Sequence, residues 1–236
     1  DYAVSYQPTL QMLVAEGLPL VRVGVLVAQP LNALVVLDDG PIKTIADFKG
    51  RKIGYSIAGF DEALLGAILE SSGLALKDVT LININFALTT ALMSRQVDGV
   101  IGAFRNFELN DLELNKAKGR LWLVEENGVP VYDELILVAK RETHDAARTK
   151  KFLAAITEAT AWLKANPTEA WAIFSKYGKE LDNDLNRMAW RDTVPLLAND
   201  PAALDRARYD AFAAFLVKRG LIKQAPAADS YLRDVR

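Results

Sequence analysis

As far as Thr143, apolar residues come in short β-branched runs separated by helical stretches of roughly ten residues. DYAVSYQ alternates small apolar and polar residues and reads as a strand, as do Val21 to Val27 and Ala33 to Leu37, which Gln29 and Pro30 separate. Lys52 to Ser56 reads as a strand, Ile57 to Phe60 as a loop, and Asp61 to Ser71 as a helix closed by Gly73. VTLININF, GVIGAF, WLVEE and ELILVAK add strands, with LTTALMSRQV a short helix between the first two. This spacing predicts an α/β fold, its parallel or mixed sheet built from βαβ units. Beyond Thr143 the pattern turns helical. TKKFLAAITEATAWLKANP places Phe152, Leu153, Ile156, Ala159, Trp162 and Leu163 on one stripe, and PTEAWAIFSKYG opens on Pro and ends at Gly178. DLNRMAWRDTVPLLA and PAALDRARYDAFAAFLVKRGLI complete the set, and Trp162, Trp171 and Trp190 all read as core.

RQVDGVIGAFRNFE and DYAVSYQPTL echo each other: Asp precedes a small-residue strand that exits into polar and aromatic residues. A complete βαβ unit, Lys52 through Val97, precedes the first and nothing precedes the second. Parallel strands need crossover neighbours and covered faces. The echo therefore predicts two similar α/β lobes, the first lacking its opening βα elements; the alternative is an ordinary N-terminal edge strand.

Composition narrows the function classes. The 236 residues are 51% hydrophobic, enough for one large core or two smaller ones. Lys plus Arg total 28 against 30 Asp plus Glu, a formal charge of −2, and no basic block interleaves with aromatics, which argues against nucleic acid as a partner. No apolar run approaches the ~20 residues of a membrane-spanning helix. The chain does not begin with Met, so an N-terminal segment is expected to have been removed. Without Cys there are no disulfides, thiolate metal sites or cysteine nucleophiles, and the single His, His144, reads as a surface residue at a helix start. Zinc or Ser-His-Asp chemistry is poorly supported. The expectation is a protein with no catalytic residue, metal or cofactor.

In an open α/β sheet, ligands bind beyond the carboxyl ends of the strands. Those ends are Tyr6-Gln7, Ser56-Ile57-Ala58-Gly59, Asn85-Phe86 and Arg105-Asn106-Phe107-Glu108, segments that combine hydrogen-bonding groups with rings. GYSIAGFDEALLGAIL leads from a strand through a small-residue loop directly onto a helix. Its free N–H groups, with the Ser56 hydroxyl, would receive an anion or a polar ring substituent. Asp61 and Glu62 in the first turn favour a neutral or cationic group over a phosphate. GxGxxG and Walker A patterns are absent, and GYSIAG misses a GxSxG elbow by one residue. In VPVYDELILVAK, Tyr132 and Glu134 fall on one face. Either Tyr132 packs and Glu134 is solvated, or the two together stack on and hydrogen-bond a flat heterocycle.

KGRKIGYSIAGF, VTLININFALTTALMSRQVDGVIGAFRNFE and GVPVYDELILVA together resemble the NMT1/THI5-like group of periplasmic solute-binding proteins, and within it the ThiY-type pyrimidine-precursor binding proteins of ABC importers. The resemblance covers most of residues 1 to 140, and its most specific piece is Gly102 to Glu108. It implies a bilobed, periplasmic-binding-protein-like fold of type II that closes on its ligand about a hinge, without chemistry. It implies an aminopyrimidine of thiamine salvage, hydroxymethyl- or formylaminomethyl-substituted, stacked between rings with its amino edge read by a carboxylate. Tyr132 and Glu134 match that role, and Gly59 with its loop neighbours Ser56, Ala58 and Phe60 would contact the ligand from the other lobe. Asn106 and Glu108 match the family motif, Glu108 equally as a residue that orders the rim, and Tyr6 ends the first strand. The implied setting is periplasmic, with a membrane permease and an ATPase as partners. The protein would be a monomer, or a domain-swapped or dimeric assembly if its N-terminal segment is truly absent. Lobe one is expected over residues 1–41 and 129–236, lobe two over 42–128. The alternatives are a binder of a sulfonate, taurine or nitrate, with Arg105 the obvious cation, and a pyrimidine synthase, disfavoured by the absent Cys and single His.

Overall fold

A computed structural model describes residues 1–236. The strands are β1 (Tyr2–Ser5), β2 (Leu20–Val27), β3 (Asn32–Leu37), β4 (Lys52–Tyr55), β5 (Thr80–Asn83), β6 (Gly99–Phe104), β7 (Gly119–Leu123) and β8 (Leu135–Lys140). The helices are α1 (Gln7–Ala15), α2 (Phe60–Glu70), α3 (Leu88–Met93), α4 (Glu108–Leu114), α5 (Ala146–Ala165), α6 (Pro167–Phe174), α7 (Asp184–Thr193), α8 (Arg206–Lys218) and α9 (Ala228–Tyr231). The chain divides into unit 1, residues 1–30, 130–181 and 191–236, and unit 2, residues 31–129 and 182–190.

Unit 1 holds a three-stranded sheet in the order β1-β8-β2, with β8 antiparallel to both neighbours. Side chains alternate across β8. Ile136 and Val138 pack with Leu10 and Val14 of α1, and Leu137 and Ala139 pack with Val21, Val23 and Leu153 of α5. A bulge between Arg22 and Gly24 changes the face presented by β2, so Val25 joins the α1 side. Unit 2 holds a mixed five-stranded sheet, β5-β4-β6-β3-β7. Here β4 is parallel to β5 and β6, and β3 is antiparallel to β6 and β7. Val35, Leu37, Val100 and Ala103 bury one face against Leu88, Leu92 and Leu112 of the flanking helices.

The two sheets share a motif. β1-α1-β2 brackets β8 in unit 1 as β6-α4-β7 brackets β3 in unit 2, and each central strand directly follows a crossing of the chain between units. Unit 2 adds β4-α2-β5-α3 beyond β6; in unit 1 the outer edge of β1 carries no further strand. The chain crosses back from unit 2 to unit 1 between Val129 and Pro130. The first crossing falls between Pro30 and Leu31, not at residue 41, because β3 pairs with β6 and β7 and so belongs to unit 2. Three further expectations are corrected. Residues 7–15 form a helix with Pro8 in its first turn, Val124–Glu126 is a 3-10 turn that ends the WLVEE strand at Leu123, and Trp162 is 41% exposed on α5.

A buried polar network locks unit 1. Asp133, on the approach to β8, accepts hydrogen bonds from Arg208 and from the Tyr209 hydroxyl (2.9 Å), with fully buried Arg22 of β2 at 3.9 Å. The Asp133 N–H donates to Gln7 Oε1 (2.8 Å) while the Gln7 N–H donates to the Asp133 carbonyl (3.2 Å). Gln11 Nε2 then reaches the Tyr209 carbonyl and the Tyr231 hydroxyl, both at 2.8 Å. Removing one partner from a buried pair strands the other charge. Asp133→Ala should therefore cost about 3–5 kcal/mol by urea unfolding, whereas Asp39→Ala, which breaks the exposed pair with Arg95, should change stability by less than about 0.5 kcal/mol. Equal midpoints for the two variants would refute the network's role.

Candidate functional site

In unit 2 the parallel strands β4, β5 and β6 end at the same side of the sheet, so 56–60, 84–87 and 105–108 form one rim. The β4–α2 loop is held by carboxylates of its own helix. Asp61 Oδ2 accepts the N–H groups of Ser56 and Ile57, each at 2.9 Å, and Glu62 Oε2 accepts that of Gly59 at 3.0 Å. Gly59 takes φ +80°, a left-handed turn that glycine adopts without penalty. The donors expected to meet an anion at this loop are thus engaged within the protein, a correction to the free N–H groups expected from the sequence. Ser56 Oγ accepts the N–H of Phe86 (3.0 Å), tying the β4 exit to the β5 exit. Ala58 is exposed and Phe60 half-buried at the first turn of α2.

Asp61 is buried against β6. At Gly102, where φ is +89°, a left-handed conformation that favours glycine, an added Cβ would stand in tight contact 3.0 Å from Asp61 Oδ2. Burial outweighs the two backbone hydrogen bonds and holds the Asp61 carboxyl above its ordinary range. Glu108, at the first turn of α4, is shifted the same way by burial while its carboxylate accepts the Phe104 N–H. Its geometry is that of a residue ordering the β6 exit. Asn106 is buried, its carbonyl accepting from Asn110 Nδ2 (3.1 Å). Arg105 binds Glu125 through Nη2 at 2.6 and 2.8 Å, so its charge is compensated in place.

In unit 1, Tyr132 and Glu134 are brought together: the Tyr132 hydroxyl donates to Glu134 Oε2 at 3.0 Å. The Tyr132 ring is buried against Phe212 of α8, centroids 4.8 Å apart. Glu134 is only 2% exposed, so the alternative of a packed tyrosine beside a solvated carboxylate holds for the tyrosine alone. Tyr6 caps α1 and is exposed. Sequence reasoning passed over Asp133, although its signal was present: Arg22 stands alone within an apolar strand, and a buried guanidinium requires an acid. His144 is half-buried, its pKa lowered first by burial and then by Arg233. Two open depressions, of about 490 and 440 Å³, lie elsewhere. One is lined by Tyr2, Val138 and Lys140, the other by Asp38, Arg95 and Lys118, and no candidate ligand-binding residue lines either.

The fold and rims are those of a periplasmic-binding-protein-like α/β scaffold. The alkanesulfonate-binding protein SsuA of Xanthomonas axonopodis pv. citri, bound to MOPS, superposes with a TM-score of 0.76 at 18% identity, over 99% of this chain and 81% of its own. A family model described as NMT1/THI5 like matches residues 1–170, and the chain belongs to that family. A Haemophilus influenzae protein named "Putative thiamine biosynthesis protein" is 51% identical over all of this chain and 75% of its own length. The formylaminopyrimidine-binding protein of Halalkalibacterium halodurans is 29% identical over 71% of this chain and 52% of its own, so this chain spans about half of it. Matches at 22% to 24% identity include fungal 4-amino-5-hydroxymethyl-2-methylpyrimidine phosphate synthases. No helix is long and apolar enough to cross a membrane.

The Asp61 environment gives a pH signature. Its folded-state pKa lies above the ordinary 3.8, so ionised Asp61 costs the folded protein stability at neutral pH, and acidification through the raised pKa removes that cost. From about pH 7 to about pH 4 the stability of the wild type relative to Asp61→Asn should rise, groups common to both proteins cancelling. Thermal unfolding of the pair across that range checks it; a difference independent of pH would mean that Asp61 titrates as a solvated carboxyl.

Proposed function

We propose that this chain is the substrate-binding component of an ABC importer and takes a thiamine pyrimidine precursor, a hydroxymethyl- or formylaminomethyl-aminopyrimidine. One observation carries the reading: Glu134 is withdrawn from bulk water and oriented by the Tyr132 hydroxyl, with the Tyr132 ring fixed on Phe212. A desolvated carboxylate is a strong acceptor for the exocyclic amino N–H of an aminopyrimidine, a charge-assisted contact worth about 1.5–3 kcal/mol. Tyr132 serves as the positioning residue. Ser56, Ala58, Gly59, Phe60, Asn106 and Tyr6 are further candidate ligand-binding residues, with Glu108 holding the rim of unit 2.

The similarity to a formylaminopyrimidine-binding protein supports the ligand class. So does the electrostatics of unit 2. The N–H groups of Ser56, Ile57 and Gly59 are occupied by Asp61 and Glu62, and Arg105 by Glu125. A sulfonate, taurine or nitrate would need uncompensated donors; a neutral ring does not. The protein would work outside the cytoplasm, delivering its ligand to a membrane permease driven by an ATPase. It performs no chemistry on the ligand.

Glu134→Gln keeps the shape and removes the charge. It should weaken aminopyrimidine binding by roughly 10- to 100-fold in calorimetry while leaving the unliganded melting temperature within a few degrees. Unchanged affinity would take Glu134 out of the site. Binding of taurine or nitrate in place of pyrimidines would overturn the ligand assignment.

A further inference from the structure

The β5 exit is built at a conformational cost that the fold itself does not explain. Ile84 to Ala87 form a turn closed by the Ala87 N–H donating to the Ile84 carbonyl at 2.9 Å, and both central residues have positive φ, Asn85 at 46° and Phe86 at 65°. Turns with two left-handed central residues favour Asn followed by Gly. Asn85 suits the first position, and the Asn83 side chain accepts its N–H at 2.9 Å. The second position, where glycine is the natural occupant, holds Phe86. A bulky side chain at positive φ is a genuine outlier.

Nor does packing recover the strain. Phe86 is 66% exposed, the most exposed phenylalanine among the large hydrophobic residues at the surface, against 37% for Phe107 at the neighbouring β6 exit. An exposed phenyl alone means little. An exposed phenyl held in a glycine conformation, its own N–H fixed at 3.0 Å on Ser56 Oγ of the ligand-candidate loop, combines strain, exposure and placement at the strand ends. The ring of Tyr132, by contrast, is committed to Phe212 in the core of unit 1.

We propose that Phe86 is a ligand-stacking residue, its ring face displayed at the rim of unit 2 to receive a flat heteroaromatic ring. This rests on the aminopyrimidine reading given above. The turn supplies the display: Ile84 is buried behind it, Ser56 anchors it, and the left-handed backbone carries the side chain outward.

The test exploits opposite signs. Phe86→Gly relieves the backbone and removes the ring, so on the full-length protein it should raise the unliganded melting temperature by about 2 °C or more and weaken aminopyrimidine binding by roughly 5- to 10-fold. Phe86→Tyr keeps the ring and should bind within about 2-fold of the wild type. The calorimetric panel is hydroxymethyl- and formylaminomethyl-aminopyrimidine, taurine and nitrate. Pyrimidine binding undiminished in Phe86→Gly, or lost equally in Phe86→Tyr, overturns the stacking role and leaves the function intact. Binding of taurine or nitrate alone, or of none of the four, overturns the pyrimidine reading and the stacking role together, since neither of those two ligands offers a π face to a benzyl ring in the way a pyrimidine does.

Discussion

The structure of unit 1 depends on how one carboxylate is kept out of water. An ionised group in a protein interior is tolerable only when opposite charge and hydrogen bonds replace its hydration. Asp133 has both, from Arg22, Arg208 and Tyr209. The consequence is positional as much as energetic. Gln7 clamps the main chain of Asp133 from both sides, so the start of α1, strand β2, the approach to β8 and helix α8 meet at a single residue. Glu134 is the next residue along. Its own burial and its bond to Tyr132 therefore sit on a segment that cannot move without unpairing three charges.

Unit 2 uses carboxylates for a different purpose. Asp61 and Glu62 reach from the first turn of α2 back to the N–H groups of the loop before it, and Glu108 from the first turn of α4 back to the N–H of Phe104 at the end of β6. The helix dipole favours acids at that end, and here they also complete the loop's hydrogen bonding. Order is gained in the rim, and the N–H groups of Ser56, Ile57 and Gly59 are engaged within the protein. Gly102 shows how tightly this is fitted, since the space a Cβ would need is filled by Asp61. The repeated three-stranded motif makes the contrast informative. The same β-α-β arrangement around a central antiparallel strand ends in a buried charge cluster in unit 1 and in self-capped loops in unit 2.

Much of this was readable from residue order, and the exceptions have physical causes. Runs such as Val21 to Val27 and Gly99 to Phe104 announce buried strands, because uninterrupted β-branched and small apolar residues have few other uses. The strand ends likewise located the rims. Helix α1 was missed although Pro8 and Gly17 bracket it, because its buried face is built on Gln7 and Gln11 as well as Leu10 and Val14, which blurs the apolar stripe. The first crossing was misplaced since two adjacent apolar runs split by Gln29 and Pro30 look alike whether they share a sheet or not. Pairing with β6 and β7 decides the matter, and those contacts are distant in sequence. The Asp133 network escaped for the same reason: Gln7, Arg22 and Arg208 have no local pattern that joins them. The helix-start donors were recognised, but not that Asp61 would turn back and occupy them.

These features bear on how one scaffold is shared by a relative named as a formylaminopyrimidine-binding protein and by fungal relatives of 22% to 24% identity named for pyrimidine phosphate synthesis. A shared fold leaves function open; the side chains at the strand ends decide it. In this chain the strand exits of unit 2 carry self-satisfied amides, a compensated arginine and exposed rings, and in unit 1 an oriented carboxylate stands just before β8. The single histidine stands instead on the link before α5, where burial and Arg233 press it toward the neutral form. Under the proposed function, groups of these kinds would discriminate by shape, by ring face and by a charged acceptor, and would hold a ligand without changing it. Discrimination against anions would, under that same proposal, follow from what the rim has already bound to itself, and preference for an amino-substituted ring from the carboxylate that the buried cluster beside it keeps in place.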